Sequence, residues 1–371
     1  MGGTLLSGSG GNVDYWDLKR NTQVKHDILS GYLERWASIL SGRRTKTHTN
    51  LHYVDGFAGR GRYREGEPGS PLIAMEIGQE MHEHRGGSLD LYCYNVEENA
   101  DNFKSLKREV DAVRSLYSSV EVLNFPGSFQ DYADRILGEI SADEDTFVFI
   151  DPFGYRGVEL EQVLKFLQRR RSEVFVTFMS RYIGRFMRDS NREAAMTAVF
   201  GTDEWKKLAE IPAASQQSGA VELYGKQLQE KVAEMGKDLY ILPIDVSFED
   251  TKADIYHLIH ASQHPKGRMT MELAADRAKR LSAQENLFYD PQVPIYALEA
   301  LRDAPSGRMT ARDLAGKIWL RSWYPSWRKD IKEAIRELEV GGEVTVRAHD
   351  GRNRKTGIEE RDVVVLNGGR H

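Results

Sequence analysis

The sequence has almost no cysteine, no long apolar run and no excess of basic residues, and each absence excludes a class of protein. Cys93 is the only cysteine in 371 residues, which excludes an internal disulfide or a cysteine metal cluster and favours a reducing, cytoplasmic setting. No apolar run approaches the roughly 20 residues that cross a bilayer. The formal net charge is −5, so a nucleic-acid-binding role would need local basic patches.

The length predicts more than one domain, because a single core usually stops growing at about 250–300 residues. Residues 1–14 are rich in glycine and serine and lack a basic n-region, so they predict a disordered tail and not a signal peptide. The pattern of apolar residues changes near Pro291. We therefore expect a large domain over residues 15–288 and a small one over residues 289–371.

The larger domain alternates predicted strands and helices. Its first helix begins near Thr22, with an apolar face formed by Ile28, Leu29, Tyr32, Leu33, Trp36, Ile39 and Leu40. Ser70 is predicted to cap another helix, with Pro71 in its first position. Apolar strands are predicted over 51–54, 89–96, 120–125, 146–150 and 174–179. This pattern indicates an α/β fold with a doubly wound, mostly parallel, Rossmann-like sheet. Two later runs, 239–248 and 255–261, predict an antiparallel hairpin at one edge.

The C-terminal region has the outline of a winged helix-turn-helix. Three short helices are predicted over 295–301, 311–320 and 327–338, followed by the pair Gly341-Gly342. Strands over 344–348 and 363–366 would form a hairpin around a basic tip with Arg352, Arg354 and Lys355. The third helix carries nearly balanced charge, which weakens a duplex-DNA role. Protein docking and substrate positioning stay open as alternatives.

A glycine-rich turn directly follows the first predicted strand, with the sequence Asp55-Gly56-Phe57-Ala58-Gly59-Arg60-Gly61. A strand that ends in an acidic residue and opens into Gly-x-Gly makes room for a nucleotide-like ligand in a doubly wound sheet. Glycines let the backbone turn tightly and approach the ligand closely. No Lys-Ser/Thr pair follows them, so nucleotide hydrolysis is not indicated. Taken alone, the pattern also fits an ordinary turn.

Two further strand ends carry residues suited to a nucleoside. Glu97 ends the second strand, where an acidic side chain can accept hydrogen bonds from both ribose hydroxyls. Its alternative role is to solvate the end of the strand. Ser128 and Phe129 follow the third strand in a second turn of small residues, and Ser128 stands where many nucleoside sites have an acid for the adenine amino group.

The fourth strand ends in Asp151-Pro152-Phe153-Gly154-Tyr155. An exocyclic amine on a planar base is a poor nucleophile, because its lone pair is delocalised into the ring. The Asp151 carboxylate and the Pro152 carbonyl can accept its hydrogens and favour the pyramidal form, while an aromatic side chain stacks on the base. A simple Asp-Pro turn is the alternative. With the other two strand ends, the motif favours a pocket for S-adenosylmethionine. Cytosine-C5 chemistry is excluded, because Cys93 has no preceding proline.

Four arginines follow the fifth strand at helical spacing: Arg181, Arg185, Arg188 and Arg192. On one helix they would share a face close to the active-site mouth, which suits a nucleic-acid backbone. A solvated charged face is the alternative. His257, His260 and His264 have no adjoining cysteine or carboxylate in the sequence, so we predict no metal site there.

With these motifs in hand, the sequence resembles the three-Cys-motif partner protein family of Rossmann-like methyltransferases. The resemblance rests on an ordered set of segments: Lys25-His26, Asp55 to Gly61, Gly69-Ser70-Pro71, Ile150 to Gly154, Phe200-Gly201 with Trp205, and His264-Pro265-Lys266-Gly267. It implies a partner with a three-cysteine motif, similar to radical-type iron–sulfur proteins, and an appended winged helix. The Asp-Pro-Phe-Gly turn is also similar to that of tRNA guanine-N2 methyltransferases. It departs from the Asp-Pro-Pro-Tyr pattern, so either Phe153 or Tyr155 could supply the stacking ring.

Our leading hypothesis is an S-adenosylmethionine-dependent methyltransferase that acts on an exocyclic amine of an RNA or DNA base. Such a base must be unpaired or flipped out of a duplex. The residues expected to hold the cofactor are Asp55, Gly56, Phe57, Ala58, Gly59, Gly61, Glu97, Ser128 and Phe129. One alternative is a non-catalytic nucleic-acid-binding or scaffold protein with a vestigial or sensing pocket. Another keeps the enzyme but makes the acceptor a protein or a small molecule.

Overall fold

A computed structural model describes residues 20–42, 48–247, 254–281, 292–350 and 357–367. The predicted tail (1–14) and the basic hairpin tip with Arg352, Arg354 and Lys355 lie outside these residues. The elements up to the middle of the chain are α1 (Arg20–Ser41), β1 (Thr49–Asp55), α2 (Ser70–His84), β2 (Leu89–Glu97), α3 (Ala100–Val113), β3 (Val120–Pro126), α4 (Phe129–Glu139), β4 (Asp145–Ile150), α5 (Leu160–Leu167) and β5 (Ser172–Phe178). They are followed by α6 (Ser180–Phe186), α7 (Glu193–Phe200), α8 (Trp205–Glu210), α9 (Ala213–Glu234), β6 (Tyr240–Ser247), β7 (Asp254–Ser262) and α10 (Pro265–Leu281).

These strands form one seven-stranded sheet with the order β3-β2-β1-β4-β5-β7-β6. Strands β1 to β5 pair in parallel, whereas β7 runs antiparallel to both β5 and β6. The prediction of a mostly parallel Rossmann-like sheet with an antiparallel hairpin at one edge is confirmed. The strand order reverses between β1 and β4, and ligands of open α/β sheets bind outside the carboxyl ends of the strands at such a point.

Helices cover both faces of the sheet, which explains why its strands are apolar along their whole length. All six residues of β4 are buried, as expected of a parallel strand between two helical layers. Six of the seven residues predicted on the inner face of α1 are at most 7% exposed. The exception is Ile39, which is 41% exposed because it lines an open cleft beside the end of α1. No helix of the described residues is long and apolar enough to span a bilayer.

The prediction that Ser70 caps α2 is wrong. Gly69 takes the cap position, and Ser70 is the first residue of the helix, followed by Pro71. The Ser70 hydroxyl donates a hydrogen bond to Asp55 Oδ2 at 2.6 Å. A side chain that would otherwise satisfy a helix end therefore fastens α2 to the end of β1.

The C-terminal region consists of α11 (Val293–Asp303), β8 (Arg308–Thr310), α12 (Ala311–Trp319), a π-helical turn (Trp327–Ile331), α13 (Lys332–Val340), β9 (Val344–Arg347) and β10 (Val363–Leu366). Its strands form a separate antiparallel sheet with the order β8-β10-β9. The three predicted helices and the hairpin are therefore present. Strand β8 is too short for an alternating pattern and was not predicted. The winged-helix assignment and the two domain limits stay predictions.

A buried arginine on α10 joins the C-terminal region to the large sheet. The side chain of Arg268 is 0% exposed, and its Nε donates to the Ile241 carbonyl at 3.1 Å. Nη2 donates to the Trp323 carbonyl, and the guanidinium lies 4.0 Å from the ring centre of Trp319. Nη1 pairs with Glu272 Oε2 at 3.1 Å. One cation therefore contacts β6, its own helix and the segment that leads into α13.

Glu272 completes this junction. Its Oε1 accepts hydrogen bonds from the Ser326 hydroxyl and the Trp327 N–H, each at 2.9 Å. Burial raises the pKa of Glu272 above its ordinary value, while the Arg268 charge opposes that shift. The carboxylate thus depends on Arg268 for compensation of its charge.

We expect Arg268→Met to lower the free energy of unfolding by about 3–5 kcal/mol, because it leaves Glu272 buried without a counter-charge. Urea unfolding followed by tryptophan fluorescence measures the loss. The double variant Arg268→Met/Glu272→Gln is the matched control and should recover a large part of it, since the amide keeps an acceptor oxygen. A double variant no more stable than the single one would contradict this account of the junction.

Candidate functional site

The predicted site segments meet at the carboxyl edge of the sheet, at the reversal of strand order. Gly56 N–H donates to the Phe149 carbonyl of β4, and Ala58 N–H donates to the Val96 carbonyl of β2, each at 2.9 Å. The glycine-rich turn is therefore bonded to both strands that flank β1. Asp151, which follows β4, is brought to the same edge.

The turn needs its glycines for two separate reasons. Gly59 and Gly61 have φ angles of 65° and 83°, in the left-handed region that side chains disfavour. A Cβ at Gly56 would lie 2.9 Å from the Phe129 ring, which leaves no room for a side chain. Phe129 itself is 1% exposed and stacks on Phe166, with 5.6 Å between ring centres. Phe129 thus supports the turn from the core.

Phe57 and Ala58 complete the turn. Ala58 is 4% exposed and belongs to the core. The Phe57 ring packs 6.2 Å from the Phe129 ring and over Gly157, where a Cβ would come within 2.3 Å of it. The apolar residues of the motif therefore anchor the loop, and its glycines are buried with them.

Asp55 is fully buried beneath the turn. It accepts hydrogen bonds from Phe57 N–H and the Tyr53 hydroxyl, each at 3.1 Å, and from Ser70. Burial raises the pKa of Asp55 to about 7, and the charge of Asp151 adds to this, although the hydrogen bonds oppose it. The carboxylate holds β1, the turn and α2 together.

Glu97 links the turn to the start of α3. Its Oε2 accepts from Gly59 N–H at 2.8 Å, and its Oε1 accepts from Asn99 N–H at 2.8 Å and from Asn102 Nδ2 at 3.3 Å. The side chain is partly exposed at the end of β2. A carboxylate offers about four lone-pair sites, so Glu97 keeps acceptor capacity at the rim.

Ser128 is the N-cap of α4. Its hydroxyl accepts from Asp131 N–H at 3.3 Å and donates to Asp131 Oδ2 at 2.6 Å. An acid therefore does stand at this rim, three residues after the position considered in the sequence. The Ser-x-x-Asp spacing of a capping box could have revealed it.

Asp151 forms an ion pair with Lys25 of α1 through its Oδ2. Lys25 is 7% exposed, and its ammonium lies 5.7 Å from the ring centre of Tyr256. Burial raises the pKa of Tyr63 and of Tyr256 above ordinary values, and the Asp151 charge adds to both shifts. A lysine and two tyrosines therefore surround the predicted catalytic carboxylate. Sequence analysis assigned none of the three to the site, although Lys25 belongs to the family resemblance.

The two candidate stacking rings have different environments. Phe153 is 76% exposed at the carboxyl edge, next to the buried Pro152. Tyr155 accepts a hydrogen bond from Arg192 and packs edge-on against Phe186 at 5.5 Å. The ring of Phe153 is thus the more accessible one for a planar ligand.

The prediction that four arginines share one helical face is wrong. Helix α6 ends at Phe186, and a 3₁₀ turn over Ser190–Arg192 precedes α7. Asp189 causes the break, because its side chain accepts from Asn191 N–H at 3.0 Å and caps the new turn. Arg181, Arg185 and Arg188 are exposed, whereas the guanidinium of Arg192 lies 4.8 Å from the Phe186 ring centre.

His257 and His260 lie in β7 and contact carboxylates from other strands. His257 Nε2 lies 3.2 Å from Asp245 of β6, and His260 Nε2 lies 3.1 Å from Glu173 of β5. Both rings are buried within the sheet layer. These contacts are structural pairs between neighbouring strands.

No protein-family model and no curated protein matches this chain. Among solved structures, it is similar to the METTL16 methyltransferase domain, with 14% identity over 62% of this chain and 66% of that domain and a TM-score of 0.30. It is also similar to P. horikoshii TYW2 in complex with MeSAdo, with 11% identity over 67% of this chain and 63% of that chain and a TM-score of 0.30. A third similar structure is precorrin-6y C5,15-methyltransferase from Geobacter metallireducens, with 12% identity over 61% of this chain and 86% of that chain and a TM-score of 0.28. The chain spans less than two thirds of the length of the first two. Similarity this distant decides neither substrate nor partner.

The raised pKa of Asp55 can be tested through the pH dependence of the free energy of unfolding. Between about pH 4 and 7 the folded state binds a proton that the unfolded state has released, so Asp55 makes the protein less stable as the pH rises. Asp55→Asn removes this dependence. From pH 5 to pH 8 the variant should gain about 2–3 kcal/mol of unfolding free energy relative to the parent.

Urea unfolding at both pH values measures the difference between the two proteins. Asp134→Asn, at an exposed position of α4, is the control and should show no such pH dependence. A stability difference for Asp55→Asn that stays constant with pH would contradict the raised pKa.

Proposed function

We propose that this chain is an S-adenosylmethionine-dependent methyltransferase that modifies an exocyclic amine of a nucleic-acid base. One observation carries the proposal: the glycine-rich turn after β1 and the Asp151 turn after β4 adjoin at the switch point of the sheet, joined by the Gly56–Phe149 hydrogen bond. This adjacency supports a site at which the turn holds the cofactor and the carboxylate of Asp151 binds the acceptor amine.

The residues of the crevice fit a sulfonium nucleoside. Gly59 and Gly61 give the turn its left-handed backbone, Glu97 offers acceptor capacity for ribose hydroxyls, and Asp131 offers a carboxylate for an amino group. These groups are supported from behind by the buried residues Asp55, Gly56, Ala58 and Phe129 and by Phe57 and Ser128. When bound, S-adenosylmethionine supplies an electrophilic methyl group.

Asp151 would orient the acceptor amine. Lys25 binds its Oδ2, which fixes the carboxylate and leaves Oδ1 to accept a hydrogen from the amine. The Pro152 carbonyl would accept the second hydrogen. Both acceptors favour a pyramidal nitrogen with an available lone pair. Lys25 acts through Asp151 and is a positioning residue.

The acceptor is proposed to be a base because an exposed aromatic ring adjoins Asp151. Stacking of a base on Phe153, which is 76% exposed, would contribute about 1–3 kcal/mol. Arg181, Arg185 and Arg188 follow β5, the strand next to β4, so they lie towards the same edge and suit a phosphate backbone. The base would have to leave a duplex to reach this rim.

The family resemblance extends the proposal to a partner. We propose that a protein with a three-cysteine motif acts with this chain in the cytoplasm, and that the C-terminal region serves as a winged helix that positions the acceptor. The joint formed by Arg268 and Glu272 supports the second point, because it fixes that region against the methyltransferase sheet.

The test of the function separates cofactor binding from methyl transfer. Glu97→Ala removes the ribose acceptor, so calorimetry should show S-adenosylmethionine affinity reduced about 10–100-fold. Asp151→Asn should leave that affinity within about threefold and reduce methyl transfer to total RNA or DNA at least about 100-fold, a magnitude typical of a positioned acid–base group. Transfer of label from the cofactor gives the second readout.

Glu121→Gln, on the exposed side of the edge strand β3, is the control and should change neither quantity. Cofactor binding without label transfer to any nucleic acid by the parent would reject the substrate class. Full biological activity of Asp151→Asn would favour the scaffold alternative. Failure of the parent to bind S-adenosylmethionine would reject the whole proposal.

Lys25→Met tests the positioning role. Without the ammonium, the Asp151 carboxylate loses its counter-charge. The acid limb of the pH–rate profile should therefore move to higher pH, and transfer at neutral pH should fall at least about tenfold. Lys25→Arg should restore much of the acid limb and of the transfer rate at neutral pH. An acid limb that does not move in Lys25→Met would mean that Lys25 has only a packing role.

A further inference from the structure

A narrow groove with acidic walls lies between α1 and α2, next to the segment of α1 that carries Lys25. Its volume is about 310 Å³, at the lower end of small-molecule pockets. Five carboxylates line it: Asp27, Glu34, Glu67, Glu76 and Glu80. No lysine or arginine lines it, and in the described part of the chain none of the five forms an ion pair. The arrangement concentrates negative potential in one cleft, which attracts cations.

The groove also contains a buried acceptor without a partner. His26 lines it, is 4% exposed and forms no hydrogen bond with any described residue, although its ring packs 5.5 Å from that of Tyr63. Burial lowers the pKa of His26 to about 3, helped by the charge of Lys25, so the imidazole is neutral and keeps one acceptor nitrogen. A second orphaned acceptor is Glu67 Oε2, which is buried and unbonded. The acceptor nitrogen of His26 therefore suits a ligand that donates a hydrogen bond from an N–H group.

The groove suits an elongated organic cation better than a metal ion. Metal binding needs several ligand atoms around one point, and in the described ranges the only group of three or more such residues with ligand atoms within 4.8 Å of one another is His349, Glu359 and Asp362, elsewhere in the fold. The groove instead has carboxylates along both helices and the apolar side chains of Ile73 and Ile77 between them. Ammonium groups would meet the walls, and methylene segments would lie on the isoleucines.

We propose that this acidic groove is a binding site for an aliphatic chain that carries two or more ammonium groups. Its N–H donors meet the carboxylates of Glu76 and Glu80, and one reaches the His26 imidazole. Two sources share this chemistry: a free linear polyamine and the lysine side chains of a protein segment. This proposal does not depend on the proposed methyl transfer, because the experiment that tests it measures binding of the cation and not enzymatic activity.

Spermidine and an unstructured peptide with three lysines are the two probes, each titrated into the full-length protein by calorimetry at low salt. Glu76→Gln/Glu80→Gln removes two charges from exposed positions of α2, so the fold should be kept. Its affinity for the preferred probe should fall at least about tenfold. The control Glu121→Gln/Glu139→Gln removes the same charge from exposed positions elsewhere and should change affinity less than about twofold.

Tighter binding of spermidine assigns the site to a free polyamine, and tighter binding of the peptide assigns it to protein lysines. Equal weakening in both double variants would show only a diffuse counter-ion effect and would overturn the proposal. The proposal would also be overturned if sodium chloride and magnesium chloride at matched ionic strength displaced the probes equally well, and did so to the same extent in both double variants. Absence of binding by both probes would overturn it as well.

Discussion

The buried carboxylate of Asp55 is the contact on which the crevice depends. Its three donors come from β1, from the glycine-rich turn and from the first residue of α2. A buried carboxylate is costly unless its hydrogen bonds are satisfied, so any displacement of the turn would break a hydrogen bond to Asp55 and destabilise the fold. The position of the glycine-rich turn also determines where Glu97 accepts a hydrogen bond from the Gly59 N–H. The geometry of the rim therefore follows from one residue that has no exposed surface itself.

The fold was largely accessible from the sequence because its signals are local. Apolar strands between amphipathic helices indicate a two-faced parallel sheet, and the hairpin of β6 and β7 follows from the short link between two such runs. The errors arose where a tertiary contact replaced a local preference. Ser70 has cap chemistry but bonds to Asp55, and the arginine spacing is helical although the cap formed by Asp189 interrupts the helix.

The site could be predicted in part for the same reason. The glycine-rich turn, Glu97 and Asp151 each end a strand, and the carboxyl ends of neighbouring parallel strands must meet at one edge. Lys25 could not be placed this way, because it reaches Asp151 from a helix 126 residues earlier in the chain. Tyr256 comes from β7, which runs antiparallel to β5, and is also remote in sequence. No periodicity encodes such encounters between distant segments.

The junction at Arg268 has a consequence for how far a bound substrate can extend. Rotation of the C-terminal region away from the sheet would take the Trp323 carbonyl from the buried Arg268 guanidinium and the Trp327 N–H from the buried Glu272 carboxylate, and loss of hydrogen bonds is costly for buried charged groups. The region is therefore a fixed arm and not a hinged lid. Under the proposed function, an acceptor bound to this region would bring to the crevice only the atom that lies at a set distance from the bound segment, so the length of the acceptor would determine which atom is modified.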